Sequence, residues 1–185
     1  RFYEHGGIDT VGITRAIFSN LLHGMRQGAS TITQQVARNV YLSSERTFNR
    51  KLKEALIALR LEQELTKDQI LEIYLNQIYL GQRAYGFAAA AETYFGKPLQ
   101  NITVAEAAML AGLPKAPGAN NPVANPRRAR ARQLYVIDRM QETGFINAEQ
   151  AAAAKKEELH LRDAADPNRL HAEYVAETVR QMMYA

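Results

Sequence analysis

The run from Gly28 to Glu54, GASTITQQVARNVYLSSERTFNRKLKE, constrains this chain more than any other stretch. Its polar and basic residues recur at spacings of three and four, which is the helical period. Ser30 reads as an N-cap, whose side-chain oxygen satisfies a free backbone N–H at a helix start. Thr31, Gln35, Arg38 and Asn39 then share one helical face. In a second helix Arg50 and Lys51 lie four and three residues before Glu54, so both reach its face. Free N–H groups at a helix start beside Arg and Lys make a phosphate site. A Glu held among such cations can bind a metal or steer a leaving phosphate. Arg50, Lys51, Lys53 and Glu54 also fit an ordinary solvated face with an i,i+4 ion pair, worth only a few tenths of a kcal/mol, about 0.2–0.5. The two Thr, two Gln and one Ser of the first helix suit neither a core nor a plain surface.

The 185 residues are one domain's worth and long enough for a core. With 46% apolar residues the chain is globular rather than disordered. It has no Cys, which excludes disulfides, thiol chemistry and Cys-based metal sites. The formal charge of +4 suits an anionic partner: nucleic acid, anionic lipid or a phosphorylated substrate. The cationic excess lies before residue 141, and the tail is net acidic. No apolar run approaches the ~20 residues of a transmembrane helix, and no signal-peptide pattern opens the chain.

Taken in order, Asp9 to Gly24 places Ile13, Ile17, Leu21 and Leu22 on one stripe, widened by Ile8 and Phe18. That amphipathic helix faces either a core or a membrane surface. The Glu54 helix continues through ALIALRLEQEL, with Leu52, Leu56 and Leu59 expected inward. Thr66 with Gln69 is a capping box, and Ile70, Leu71, Tyr74, Leu75 and Ile78 form the next buried stripe. Gly81 and Gly86 punctuate, AAAAETYF ends at Gly96, and Thr103 with Glu106 opens a helix stopped by Gly112 and Pro114. PKAPGANNPVANP is a loop by composition. Arg127, Arg128, Arg130 and Arg132 follow it without interleaved aromatics to stack bases, so a solvated helix start is preferred to a nucleic-acid surface. Asn147 to Gln150 caps an Ala-rich helix. The absence of strand alternation makes the chain mostly helical.

GASTITQQ followed by RKLKE resembles the second and third motifs of the family 51 glycosyltransferases, the peptidoglycan glycosyltransferase domains of class A penicillin-binding proteins. KDQILEIYLNQIYLGQRAYGFAAAAETYFGK is similar to that family's fourth motif and its continuation, and AEAAMLAGLPKAPGANNP to the segment after it. Phe2, His5 and Gly7 match the tail of the first motif. RQLYVI resembles the fifth, with Gln133 and Ile137 departing from its pattern, so Arg132 is read as structural support. The resemblance implies an all-α, lysozyme-like fold with a large head and a small membrane-facing jaw, for which Phe18, Leu21, Leu22 and Met25 are contact candidates. It assigns residues 1–160 to the glycosyltransferase domain and 161–185 to a linker towards a transpeptidase domain, no Ser-x-x-Lys or Lys-Thr-Gly being present.

The implied reaction polymerises lipid II with loss of undecaprenyl pyrophosphate and inversion. Glu54, Arg50 and Lys51 are the implied catalytic residues. Phe2, His5, Ser30, Thr31, Gln35, Arg38 and Asn39 are implied to bind substrate. The catalytic base is a Glu expected upstream of Arg1, as is a membrane anchor, and the present segment without that Glu is expected to be inactive. A divalent metal, Mg or Mn, is the cofactor to be considered. The implied partners are lipid II, the growing strand, the membrane surface, the linked transpeptidase domain and cell-wall synthesis regulators, at the periplasmic face of the bacterial inner membrane. Two other readings compete. A lysozyme-like glycosidase would also use paired carboxylates, but has no need of Arg38, Arg50 and Lys51 because no phosphate leaves. A non-catalytic basic helical module binding nucleic acid, anionic membrane or lipid II would show steep salt dependence spread over many Lys and Arg and no special penalty at Glu54.

Overall fold

A computed structural model describes residues 2–7, 30–41 and 47–162. The helix expected over Asp9–Gly24, its membrane-contact candidates and residues 163–185 lie outside these described residues. Among the described residues there are seven α-helices and two 3-10 turns, Phe2–Glu4 ahead of the helices and Leu99–Asn101 between the fourth and the fifth. The helices are α1 (Ile32–Tyr41), α2 (Phe48–Glu64), α3 (Lys67–Gln77), α4 (Phe87–Phe95), α5 (Val104–Gly112), α6 (Pro126–Glu142) and α7 (Ala148–Lys156). Among the described residues there is no strand, and the isolated antiparallel bridge Tyr79–Tyr85 closes a tight turn. No described helix is long and apolar enough to cross a membrane. The expected all-α class is therefore observed.

The three capping boxes read from the sequence are all formed. Thr66, Thr103 and Asn147 each accept from the N3 amide of their helix, and Gln69, Glu106 and Gln150 reach back to the cap amide. Each satisfies two of the backbone N–H groups a helix start leaves free. Gly96, in the left-handed region at φ 65°, ends α4 as expected.

The main core gathers Val36 and Ala37 of α1, Ala58 and Leu61 of α2, Ile70 and Tyr74 of α3, and Ala90, Ala91, Tyr94 and Phe95 of α4. α1 packs on both α2 and α3, while α5 packs on α6 and α6 on α7. Fully buried Gln133 ties that second group together: its amide donates to the Ala105 carbonyl at 2.7 Å, and its oxygen accepts from Arg130 at 2.6 Å. Arg132 lies with its stem across Gly112 and its guanidinium 4.6 Å from the Tyr135 ring. Arg127 and Arg128 are exposed at the start of α6.

Two expectations fail. Leu52, Leu56 and Leu59 do not point inward; they are 53%, 58% and 43% exposed. The inward face of α2 is instead Glu54, Ala58 and Leu61, offset by two residues and so by about 200° on a helix turning about 100° per residue. The backbone of α2 is approached closely at Ala58, where position 7 must be glycine: a Cβ on Gly7 would stand 2.8 Å from the Ala58 carbonyl oxygen. Leu75 likewise sits at the edge of the α3 stripe, which is buried at Ile70, Tyr74 and Ile78.

Candidate active site

α1 starts one residue later than the sequence suggests, because Thr31 and not Ser30 is its N-cap. The Thr31 carbonyl accepts from the Gln35 amide at 3.0 Å and its hydroxyl from the Gln34 amide at 3.1 Å. Gln34 returns a bond from its side chain to the Thr31 amide at 3.1 Å, completing a fourth capping box. The Thr31 hydroxyl also donates to the Gly7 carbonyl at 2.8 Å. Both of its hydrogen-bonding roles are thus taken by backbone. Displaced from the cap, Ser30 turns its hydroxyl to α2 and accepts from Lys51 Nζ at 2.9 Å.

On α2, Thr47 caps the helix by accepting from the Arg50 amide at 3.1 Å, which brings Arg50 and Lys51 into the first turn. Glu54 follows on the same face and is only 1% exposed. Arg50 Nη1 donates to Glu54 Oε2 at 2.8 Å, and Lys51 Nζ binds Oε1 at close range. A carboxylate this deep is tolerated because each oxygen has its own cation. The two cations differ in access: Arg50 is 15% exposed and Lys51 45%. Lys51 has three donors and, among the described residues, spends two, on Ser30 and Glu54, which leaves one for a ligand. Among the described residues the buried Arg50 Nε has no hydrogen-bond partner.

Gln35 and Arg38 are half-buried further along α1, and Asn39 is exposed. Arg38 lies near Tyr74, whose phenol is pushed up by burial and partly drawn back by that guanidinium. Phe2 packs against the core edge, with Lys67 Nζ 4.5 Å from its ring centroid. The half-buried His5 donates from Nδ1 to the Gly6 carbonyl at 2.5 Å. Ser30, Arg50, Lys51 and Glu54 are thus one bonded cluster, Thr31 is its structural neighbour, and Phe2 and His5 lie on the adjoining segment.

Sequence reasoning passed over a second polar group. Glu62 accepts from the fully buried Thr33 hydroxyl at 2.5 Å and from Lys67 Nζ at 2.7 Å, and Lys67 also donates to the His5 carbonyl at 2.6 Å. Its signal was a Thr in the apolar register of α1 and a Lys in the first turn of α3, where the helix dipole disfavours a cation. Among the described residues no three His, Asp or Glu group as metal ligands do. Glu54, the carboxylate considered for a divalent ion, already has both oxygens on cations, so this donor set does not fit a metal.

The model of the transglycosylase family matches residues 1–141. Penicillin-binding protein 1A of Neisseria flavescens is 57% identical over 185 residues, which is all of this chain and 23% of that protein. A candidate transglycosylase of Cupriavidus necator is 62% identical over 162 residues, covering 88% of this chain and 70% of its own length. The 2.6 Å crystal structure of penicillin-binding protein 1A from Haemophilus influenzae aligns with a TM-score of 0.55 at 39% identity, over 82% of this chain and 19% of that one. The chain thus spans about a quarter of the length of the Neisseria relative. Carrying the polar α1 start and the Arg-Lys-x-x-Glu turn of α2, and matched over most of its length, this chain belongs to the transglycosylase family.

Proposed function

We propose that this domain polymerises lipid II into glycan strands, as part of a longer class A penicillin-binding protein. In that reaction the 4-hydroxyl of the acceptor attacks the anomeric carbon of the donor. The C1–O bond to undecaprenyl pyrophosphate breaks with inversion, and the hydroxyl proton passes to a general base, a Glu ahead of Arg1. Such a step needs cations where pyrophosphate charge develops. The observation that carries the reading is the Ser30–Lys51–Glu54–Arg50 cluster, in which a buried carboxylate fixes two cations and one of them stays accessible.

Lys51, with its remaining donor, is the group to meet a phosphate oxygen. Glu54 holds Lys51 and Arg50 at fixed positions, so little reorganisation accompanies charge build-up. Arg38 adds positive charge along α1, while Gln35, Asn39, Phe2 and His5 orient the substrate and the segment beside it. Val40, Leu52, Leu56 and Leu59, exposed on α1 and α2, support placing this side of the domain at a lipid surface.

The test is polymerisation of purified lipid II by the longer parent protein, extended upstream to include the expected Glu. Muramidase-sensitive strands that disappear in Glu54→Gln are the expected result. A well-folded wild type that binds lipid II and yields no polymer would leave a binding module.

A further inference from the structure

The segment Phe2–Gly7 holds its place with little backbone support. Among the described residues it forms one 3-10 turn and no longer element, so side-chain bonds from its described neighbours help to fix it. Three such bonds reach it from the described residues. Tyr3 donates to Asp68 at 2.9 Å on the exposed side, and Thr31 donates to the Gly7 carbonyl at 2.8 Å. The third is Lys67, which donates to the His5 carbonyl at 2.6 Å.

Lys67 is an unusual choice for that task. It opens α3, where the positive end of the helix dipole opposes an ammonium group. Its side chain is only 20% exposed, so it has also given up most of its water. All three of its donor directions are occupied: Glu62 Oε1 at 2.7 Å, the His5 carbonyl, and the face of the Phe2 ring at 4.5 Å. Glu62, 12% exposed, is held from the far side by Thr33 of α1. A chain of bonds therefore runs from α1 through α2 and α3 to Phe2–Gly7. Its far end, Gly7, is bonded to Thr31, the neighbour of Ser30 in the ion cluster. Packing alone would be served by an apolar side chain; an ammonium with every donor committed fixes direction as well as distance.

We infer that Lys67 is a positioning residue for the proposed reaction, holding Phe2–Gly7 in register with the Ser30–Lys51–Glu54 cluster. The inference rests on the lipid II reading of that cluster. Phe2 and His5 lie on this segment, so a small displacement of it would shift both groups relative to the cluster and spoil the alignment of the substrate.

The experiment compares Lys67→Met, Lys67→Arg and Glu62→Gln in the longer parent protein that carries the upstream Glu, by lipid II turnover, thermal melting and amide hydrogen exchange. Lys67→Met keeps the stem and removes the charge and donors. Its kcat should fall about 100-fold, the scale of a misplacement of about 1 Å, with KM changed less than about threefold. Exchange should quicken at Phe2–Gly7 and stay unchanged across α4 and α5. Lys67→Arg should recover part of kcat. Glu62→Gln, which preserves shape, should lower kcat in the same direction and is the deciding variant if Lys67→Met does not fold. Wild-type kcat in Lys67→Met or Glu62→Gln overturns the inference. So does a loss of activity that follows a lowered melting temperature with exchange rising uniformly. If the wild type makes no polymer, the lipid II reading fails, and the exchange arm alone decides whether Lys67 holds the segment.

Discussion

Lys51 on α2 donates to the Ser30 hydroxyl at the start of α1 at 2.9 Å, so the two helices meet through a directed bond beside a buried carboxylate. That contact sets both the spacing of the helices and the position of the accessible ammonium. The consequences for the surrounding residues can be measured.

Arg50 and Lys51 share Glu54 but should separate in their effects. Arg50→Ala removes the more buried partner and leaves Glu54 Oε2 without a cation, at a cost of about 3 kcal/mol. Lys51→Ala removes a half-exposed partner, so stability should fall by less than about 1 kcal/mol while turnover falls more than about 100-fold. Denaturant melts and polymerisation rates of the two variants check this. Equal melts for both would refute the division of labour.

Ser30 and Thr31 are adjacent and chemically alike, yet their bonds differ. Thr31→Val loses the cap bond to Gln34 and the bond to Gly7, costing about 2 kcal/mol. Ser30→Ala loses one bond at the margin of the cluster, costing about 1 kcal/mol or less, and should lower turnover through a freer Lys51. Paired chemical melts and rates decide it, and a larger stability loss in Ser30→Ala would show that the cap has been misassigned.

Tyr94 predicts alkaline behaviour. Its phenol donates to the Leu80 carbonyl at 2.9 Å and accepts from Asn121 at 3.3 Å. Burial, with a smaller contribution from nearby Tyr79, pushes it up to about 12 from 10.0. The folded state therefore binds this proton more tightly than the unfolded state, and its contribution is complete below pH 10 and lost as pH rises towards 12. Tyr94→Phe should be less stable at pH 8 by about 1 kcal/mol and show a shallower decline above pH 10. Parallel decline of both proteins would contradict the assignment.

Leu56 is 58% exposed on the outer face of α2. If that face lies on lipid, Leu56→Glu should weaken flotation with phosphatidylglycerol vesicles about tenfold or more, because a buried Leu is worth about 1.5–3 kcal/mol. Melting should be unchanged within about 0.5 kcal/mol, as expected of an exposed position. Unaltered flotation would remove the lipid assignment from this face.

Much of this was legible in the linear chain because it depends on local rules. Helical periodicity, the capping pairs at Thr66, Thr103 and Asn147, and the glycine end of α4 are set by neighbours within four residues. So is the convergence of Arg50 and Lys51 on Glu54, since i,i+3 and i,i+4 spacing is itself the geometry.

What the sequence by itself determined was therefore the helical class, the local caps and the ion triad of α2. Tertiary structure alone decided three other matters. It chose the inward face of α2, where close backbone approach at Ala58 and the paired burial of Glu54 override the Leu52, Leu56 and Leu59 stripe. It moved the cap from Ser30 to Thr31, because Thr31 could bond Gly7 while Ser30 reached Lys51. It also joined Thr33, Glu62, Lys67 and His5, residues up to 62 positions apart. The physical reason is common to all three: a polar group in the interior takes whichever partner the fold brings within about 3 Å, and that choice has no period in the sequence.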